Sequence, residues 1–358
     1  MNSKTKHARN TAGGSRLQYF NYEKLFDFGV RLLTAKGVSK AKAEYIAGIA
    51  VDTEALGITT HGVAVFPYFD NEIGRNIDPK ADPKIIKEKD STALIDGNNT
   101  FGQLSMKLAK ELAVKKARKT GLAMIGVRNG SWLGALSTYL IPLVEQGFFA
   151  QLWVQSSTCK DCAPYGGIDP RFSTNPVALA FPTNAEPMIA DISTAAMSMS
   201  KVNQLIRDGR KAEDKLFLDK NGHPTDDPRA FPRGGTILFF GGDKQGYKGY
   251  AFSLWCEALT AMAGGDCNNP SAKTRQSFNL LVIDPGAFAG MDYYKKEMKR
   301  FIEHVKSSRV RKGFSEIRIP GDKLIKKLTA AKHRGIPLGK FMIEKLNIAA
   351  KNNNLSFP

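Results

Sequence analysis

The spacing of apolar and polar positions divides the chain into a helical opening, a strand-rich middle and a helical close. From Tyr22 to Gly74 the pattern is helical in three pieces, with Leu25, Phe28, Leu32 and Leu33 on one face of the first. In the second piece Ile46, Ala47, Ala50, Val51 and Ala55 recur at helical intervals, from a candidate N-cap at Ser39 to a stop at Gly57. The third piece is predicted to begin at Thr60, whose hydroxyl suits a cap, and to carry Val63, Phe66 and Tyr68. A turn-rich link, Asn76 to Pro83, leads to an extended run over Lys84–Asp96 and a turn at Asp96-Gly97-Asn98. Gly102–Thr120 reads as a Lys-rich amphipathic helix closed by Gly121.

After Gly121 the texture becomes that of buried strands. The runs Leu122–Val127, Phe148–Gln155, Val177–Phe181, Met188–Ile192 and Leu280–Asp284 predict strands, with helices over Leu133–Gln146, Ala195–Asp208 and Tyr250–Met262. Two passages resist such assignment. Ser156–Asn175 is rich in Gly, Pro and Ser and too long for filler, and residues 209–234 are polar and turn-rich. Met291–Leu346 returns to Lys-rich helices, broken at Arg318-Ile319-Pro320-Gly321. The expected architecture is α+β: residues 1–18 a flexible tail, a helical domain from 19–120 and 300–358, and a sheet-centred domain from 121–299 inserted between.

Composition narrows the function classes. A hydrophobic fraction of 42% supports a packed core and argues against disorder. The net charge of +18 is spread along the chain, and it lacks the aromatic or zinc-finger patterns of nucleic-acid modules. It therefore reads as solvated helix faces plus attraction for an anionic cofactor and substrate, with an anion or nucleic-acid binder as a reading from charge alone. The four cysteines, Cys159, Cys162, Cys256 and Cys267, make neither a disulfide framework nor a paired zinc site, so no metal is expected. With no apolar leader and no run of the ~18 residues that a membrane helix needs, a cytoplasmic protein is expected.

Candidate chemistry centres on His61, one of five histidines and the one at the mouth of an apolar segment. Placed in a helix's first turn, it would have its pKa lowered by the dipole and could exchange a proton near neutral pH. A helix-terminal histidine that merely bonds backbone is the competing reading. The stretch Gly241–Gly249 offers backbone amides and Lys248 ahead of a helix, a reasonable phosphate cradle or a plain glycine turn. It is not a Walker A, and no dinucleotide fingerprint opens a helix after a strand. Asp191-Ile192-Ser193-Thr194 could hold a ribose or cap the next helix. A nucleophile elbow is missing.

Together these residues resemble the type-2 malate/L-lactate dehydrogenase family, over about Tyr22–Gly339. The motifs are DTEALGITTHG at Asp52–Gly62, DGNNTFGQ at Asp96–Gln103, VRN at Val127–Asn129 and PYGG at Pro164–Gly167. TNP and AFP follow within Thr174–Pro182, then DIST at Asp191, DKNGHPTDDP at Asp219–Pro228, GYKGY at Gly246–Tyr250 and IPGDK at Ile319–Lys323. The resemblance implies that His61, with Thr60 beside it, donates a proton to a carbonyl as hydride arrives from NAD or NADP, the basic balance favouring NADP. It implies cofactor contacts at Ser156, Asp191, Ser193, Thr194, Lys248, Gly321, Asp322 and Lys323, substrate contacts at Trp132 and Asn175, a cofactor domain that is not a Rossmann fold, and a homodimer. Two positions depart from the family's pattern: Val65 stands where an Arg usually grips a carboxylate, and Trp132 where a second His usually lies. They open two alternatives, reduction of a cyclic imine and a non-catalytic ligand-binding relative.

Overall fold

The computed structural model describes residues 17–269 and 276–358. Of the expected tail, residues 1–16 lie outside the described residues, whereas Gln18 already belongs to a strand.

In chain order the elements are β1 (Gln18–Phe20), α1 (Tyr22–Ala35), α2 (Lys40–Ala55), α3 (Val65–Glu72), β2 (Lys84–Glu88), β3 (Thr92–Asp96), α4 (Gly102–Thr120) and β4 (Leu122–Gly130). Then come α5 (Ser137–Glu145), β5 (Phe149–Gln155), β6 (Val177–Phe181), β7 (Met188–Ile192), α6 (Met199–Arg207), β8 (Phe217–Leu218), β9 (Pro224–Thr225) and β10 (Thr236–Ile237). The chain closes with α7 (Gly242–Gln245), α8 (Tyr247–Met262), β11 (Gln276–Ile283), α9 (Met291–Lys306), α10 (Leu324–Arg334), β12 (Ile336–Leu338) and α11 (Lys340–Asn352).

The fold is mixed α/β around a seven-stranded sheet of order β2-β3-β4-β11-β5-β6-β7. Every neighbouring pair is antiparallel except β3 with β4. The late strand β11 lies at its centre and buries Phe278, Leu280 and Val282 completely. On β5, Leu152 and Val154 join the core shared with α4 and α5, while Trp153 between them packs with Cys256 of α8. Side chains alternate across a strand, so α4 and α5 cover one face and α8 the other. A second core is mainly helical. Leu25, Phe28, Ile46, Val51, Phe66 and Phe69 meet Ile336, Leu346 and Ala349 from the far end of the chain, and β1 pairs antiparallel with β12.

Several predicted boundaries shift, each for a local reason. The single extended run Lys84–Asp96 is a hairpin, because residues 89–91 turn back to pair β2 with β3. The helix expected from Leu133 begins at Ser137, since residues 131–133 are bound sideways: Ser131 Oγ accepts from Gly102 N, Gln103 donates to Trp132 O and Leu133 O, and Leu133 N donates to Gln276. The helix expected from Ala195 begins at Met199, capped by Ser198. Gly241–Gly249 is mostly helical, split between α7 and the first turn of α8, with Gly241 in a left-handed conformation ahead of α7. The glycine- and proline-rich passage Ser156–Asn175 contributes Cys162 and Phe172 to a small core with Val202, Phe217, Ile237 and Phe239.

Candidate active site

The chain between α2 and α3 folds into tight turns rather than an early helix. His61 N donates to Ile58 O at 3.1 Å, and Val65 N donates to Gly62 O at 3.1 Å. Helix α3 begins at Val65 with Ala64 at its N-cap position, so the expected cap at Thr60 is not made. The Thr60 hydroxyl is spent instead on its neighbour, 2.7 Å from His61 Nδ1. His61 thus precedes α3 instead of lying in its first turn. Its pKa is lowered chiefly by burial, which disfavours imidazolium, and the Asp191 carboxylate opposes that shift.

Beneath this turn lies a residue that the sequence patterns did not single out. Glu54, in the last turn of α2, is 3% exposed and accepts from Val63 N at 3.0 Å. Gly62 rests directly on it; a Cβ there would stand 2.7 Å from Glu54 Cα and closer still to Oε2. Burial raises the Glu54 pKa to about 7, against the opposing bond from Val63. The signal for it was a carboxylate among the buried positions of an apolar helix face.

The wall beside His61 is aromatic. The Trp132 ring centroid is 5.5 Å from that of His61, and Tyr68 packs edge-on against Trp132 at 5.0 Å. Gln103 fixes the segment by donating to Trp132 O and Leu133 O. Gln276 joins it to Ser156, accepting from Leu133 N at 3.0 Å and donating to Ser156 Oγ at 3.0 Å. Asp191 completes the group from the end of β7. It accepts from Leu136 N and Ser137 N, both at 2.9 Å, and so caps α5 rather than the helix that follows it. It is open to solvent on one side and enclosed on the others, and this burial raises its pKa. His61, Thr60, Trp132, Asp191 and, through Gln276, Ser156 therefore share one region. Val65 does not face it, being 3% exposed within the helical core.

Other expected contacts are committed elsewhere. Asn175 is fully buried, its amide donating to Ser253 Oγ and Glu257 Oε1, both at 2.9 Å. The hydroxyls of Ser193 and Thr194 both donate to Thr174 O. Gly321, with a left-handed φ of 98°, docks tightly on Pro187 and Ile189. Asp322 pairs with Lys306 at 2.9 Å and Lys323 with Glu316 at 2.6 Å. Lys248 is exposed at the head of α8 and donates to Gln245 Oε1 at 2.7 Å.

The donor set fits a dinucleotide in part. Lys248 on the first turn of a 16-residue helix combines an exposed cation, bonded to the neutral Gln245 amide, with the helix's positive end, which suits phosphate. The Ser156 hydroxyl is the other contact on the His61 side. A surface recess of about 470 Å³ lined by Glu88, Lys89, Asp90, Lys115, Lys116 and Lys119 is a different place. It lies at the N-terminal ends of the parallel strands β3 and β4, whereas Trp132 follows their C-terminal ends, and Lys116 and Lys119 are paired with Glu88 and Asp90. Among the described residues no cluster of His, Cys, Asp and Glu could hold a metal ion, and no helix is long and apolar enough to cross a membrane.

Comparison with known proteins gives the family and the fold. The profile of the malate/L-lactate dehydrogenase family matches residues 20–347. The chain is 31% identical over 335 residues to malate/(S)-sulfolactate dehydrogenase of Methanothermus fervidus, covering 91% of this chain and 95% of that protein. It is 30% identical over 342 residues to the Δ1-pyrroline-2-carboxylate/Δ1-piperideine-2-carboxylate reductase of Pseudomonas syringae pv. tomato, covering 92% of this chain and 95% of that protein. Its fold matches the solved malate dehydrogenase of Pyrococcus horikoshii with a TM-score of 0.86, at 29% identity, covering 97% of this chain and 99% of that one.

Proposed function

The chain belongs to the malate/L-lactate dehydrogenase family of oxidoreductases, and from that premise we propose that it interconverts a 2-oxo acid and a 2-hydroxy acid with a nicotinamide cofactor. The observation that carries this reading is His61, held through Nδ1 by Thr60, kept neutral by burial and facing the Asp191 carboxylate. When bound, a nicotinamide cofactor would supply the hydride for reduction and accept it in oxidation. His61 as imidazolium gives its proton to the carbonyl oxygen, and in oxidation neutral His61 takes the proton from the hydroxyl. Thr60 holds the ring's other nitrogen, Asp191 favours the charged ring, and Trp132 shields one side of it from water. Lys248 and the first turn of α8 would hold the cofactor's phosphates and Ser156 would contact it. The hydroxyls of Ser193 and Thr194 and the residues Gly321, Asp322 and Lys323 would shape that side through the bonds they already make.

The net charge of +18 supports NADP over NAD. We further propose a homodimer, a cytoplasmic location, and a division into a helical unit from both chain ends and a sheet-centred cofactor unit. The packing of β2, β3 and α4 on the sheet supports moving the first boundary of that division from 120 to about 83. Val65 and Trp132 favour a second reading within the same site, reduction of a cyclic imine next to a carboxylate, the chemistry named for the Pseudomonas syringae relative. They equally favour a relative that binds ligand without turnover.

Titration with NADH and NADPH, followed by nicotinamide fluorescence, tests the cofactor. A screen of 2-oxo acids and cyclic imines with the cofactor that binds then tests turnover. His61→Ala is expected to lower kcat on the best substrate by about 10²–10⁴-fold, the usual contribution of a general acid. Unchanged turnover in that variant would overturn the reading, and binding of neither cofactor by folded protein would favour the non-catalytic relative.

A further inference from the structure

We propose that Glu54 is the positioning residue for His61, acting through the backbone of Gly62 and Val63. The inference rests on the reading of His61 as the proton carrier, and its geometry is independent of any substrate. Three observations converge. Glu54 is 3% exposed, and no ion pair reaches it among the described residues, so a carboxylate is kept in the core without a cation. Its Oε2 accepts from Val63 N at 3.0 Å, two residues past the histidine. And residue 62 must lack a side chain for the turn to lie this close, since a Cβ would meet the Glu54 backbone as well as its carboxyl. A buried carboxylate is expensive unless it is hydrogen-bonded, and the bond Glu54 makes is the one to the turn that carries His61. Here it pins the turn from below while Thr60 holds the ring from the side.

The charged groups of the elements packed around Glu54 have other partners or faces. On α2, Asp52 accepts from the Tyr22 hydroxyl at 2.7 Å and lies 4.0 Å from Lys332 of α10. On α3, Asp70 is held by Lys36, Asn352 and Asn353. On α4, Lys107 and Lys110 lie over the rings of Tyr45 and Tyr139. Lys327 of α10 approaches Gly57 at the mouth of the turn. His61 is thus the titratable group that Glu54 meets through the shortest path, the peptide units of residues 61–63.

The test is an NMR titration of the histidine ring signals in the full-length protein between pH 5 and 9, with His61→Ala assigning the resonance. In the wild type the His61 signal is expected to move twice, once at its own lowered pKa and again near pH 7 as Glu54 ionises. Glu54→Gln keeps the shape and an acceptor for Val63 N–H, and is expected to abolish the second step while leaving the other histidines unchanged. Glu54→Ala is expected to shift and broaden the His61 signal throughout. Persistence of the second step in Glu54→Gln overturns the proposal. So does a Glu54→Ala protein that loses thermal stability yet keeps the wild-type His61 titration, because that is a purely structural role. If Glu54→Ala fails to fold, the isosteric variant decides alone. On an identified substrate Glu54→Ala should lower kcat on the order of tenfold with little change in KM, the pattern of a misplaced proton donor, and Glu54→Gln, which keeps the acceptor, should restore most of it. Loss of turnover in His61→Ala without any Glu54-linked step would spare the chemical reading and sink this one.

Discussion

At the scale of the residue, the direction of the His61 shift sets the pH behaviour of the reaction. Burial lowers its pKa, so at neutral pH the ring is mostly uncharged. Carbonyl reduction needs imidazolium, and its kcat is therefore expected to fall as pH rises through a value below the usual histidine range. Hydroxyl oxidation needs the neutral ring and should rise through the same value. Parallel pH profiles of the two directions check this; a limb at or above the usual range for a solvent-exposed histidine would contradict it. The identity of His61 was legible in the sequence because histidine is scarce and this one stands between a helix stop and an apolar run. The reason for its lowered pKa was not legible. Dipole arguments follow from local order along the chain, whereas the ring is packed against Trp132, 71 positions away, and feels the opposing charge of Asp191, 130 positions away. Asn175 misled for a related reason: its motif was visible, but its bonds to Ser253 and Glu257 exist only after α8 packs across it.

At the scale of the element, Asp191 does two jobs at once. It ends β7, and it supplies the acceptor for two amides at the start of α5, a helix with no side-chain cap of its own. Asp191→Ala should leave those amides unpaired and lower stability by about 1–2 kcal/mol, while Asp191→Asn, which keeps an acceptor, should cost less. Both variants remove the charge that raises the His61 pKa, so both should move the pH limb further down. Thermal unfolding separates the two substitutions and the pH profile unites them; a limb that stayed in place in both would show that Asp191 does not act on the ring. Helices and strands with strong periodicity, such as α4 and β6, were readable because their own side chains decide them. The starts of α5 and α3 were not, because partners on other elements fix the preceding turns: Gln276 of β11 for Leu133, and Glu54 of α2 for Val63.

At the scale of the molecule, one exposed helix face is apolar along its length. Helix α8 covers the sheet with one face and presents Ala251, Leu254, Trp255, Ala258, Ala261 and Met262 on the other. These recur at helical spacing without a charged residue among them, and Leu254, Trp255 and Met262 are 43%, 59% and 69% exposed. The indole of Trp255 is backed by Phe252 and Trp153, so it is held outward rather than left to fold back. A stripe of small and large apolar residues can interdigitate with its own copy about a two-fold axis, ridge into groove. That supports α8 as part of the proposed homodimer contact. The net charge of +18 on each copy opposes association, and salt screens that repulsion while leaving apolar contact intact. Dimerisation is therefore expected to tighten between about 0.05 and 0.5 M salt, the range over which the screening length shortens several-fold. Trp255→Glu would bury a carboxylate against the partner's apolar stripe and should give monomers that keep the wild-type fold. Sedimentation velocity across that salt range measures both effects. A wild-type monomer at every salt concentration, or a Trp255→Glu dimer as tight as the wild type, would remove α8 from the interface.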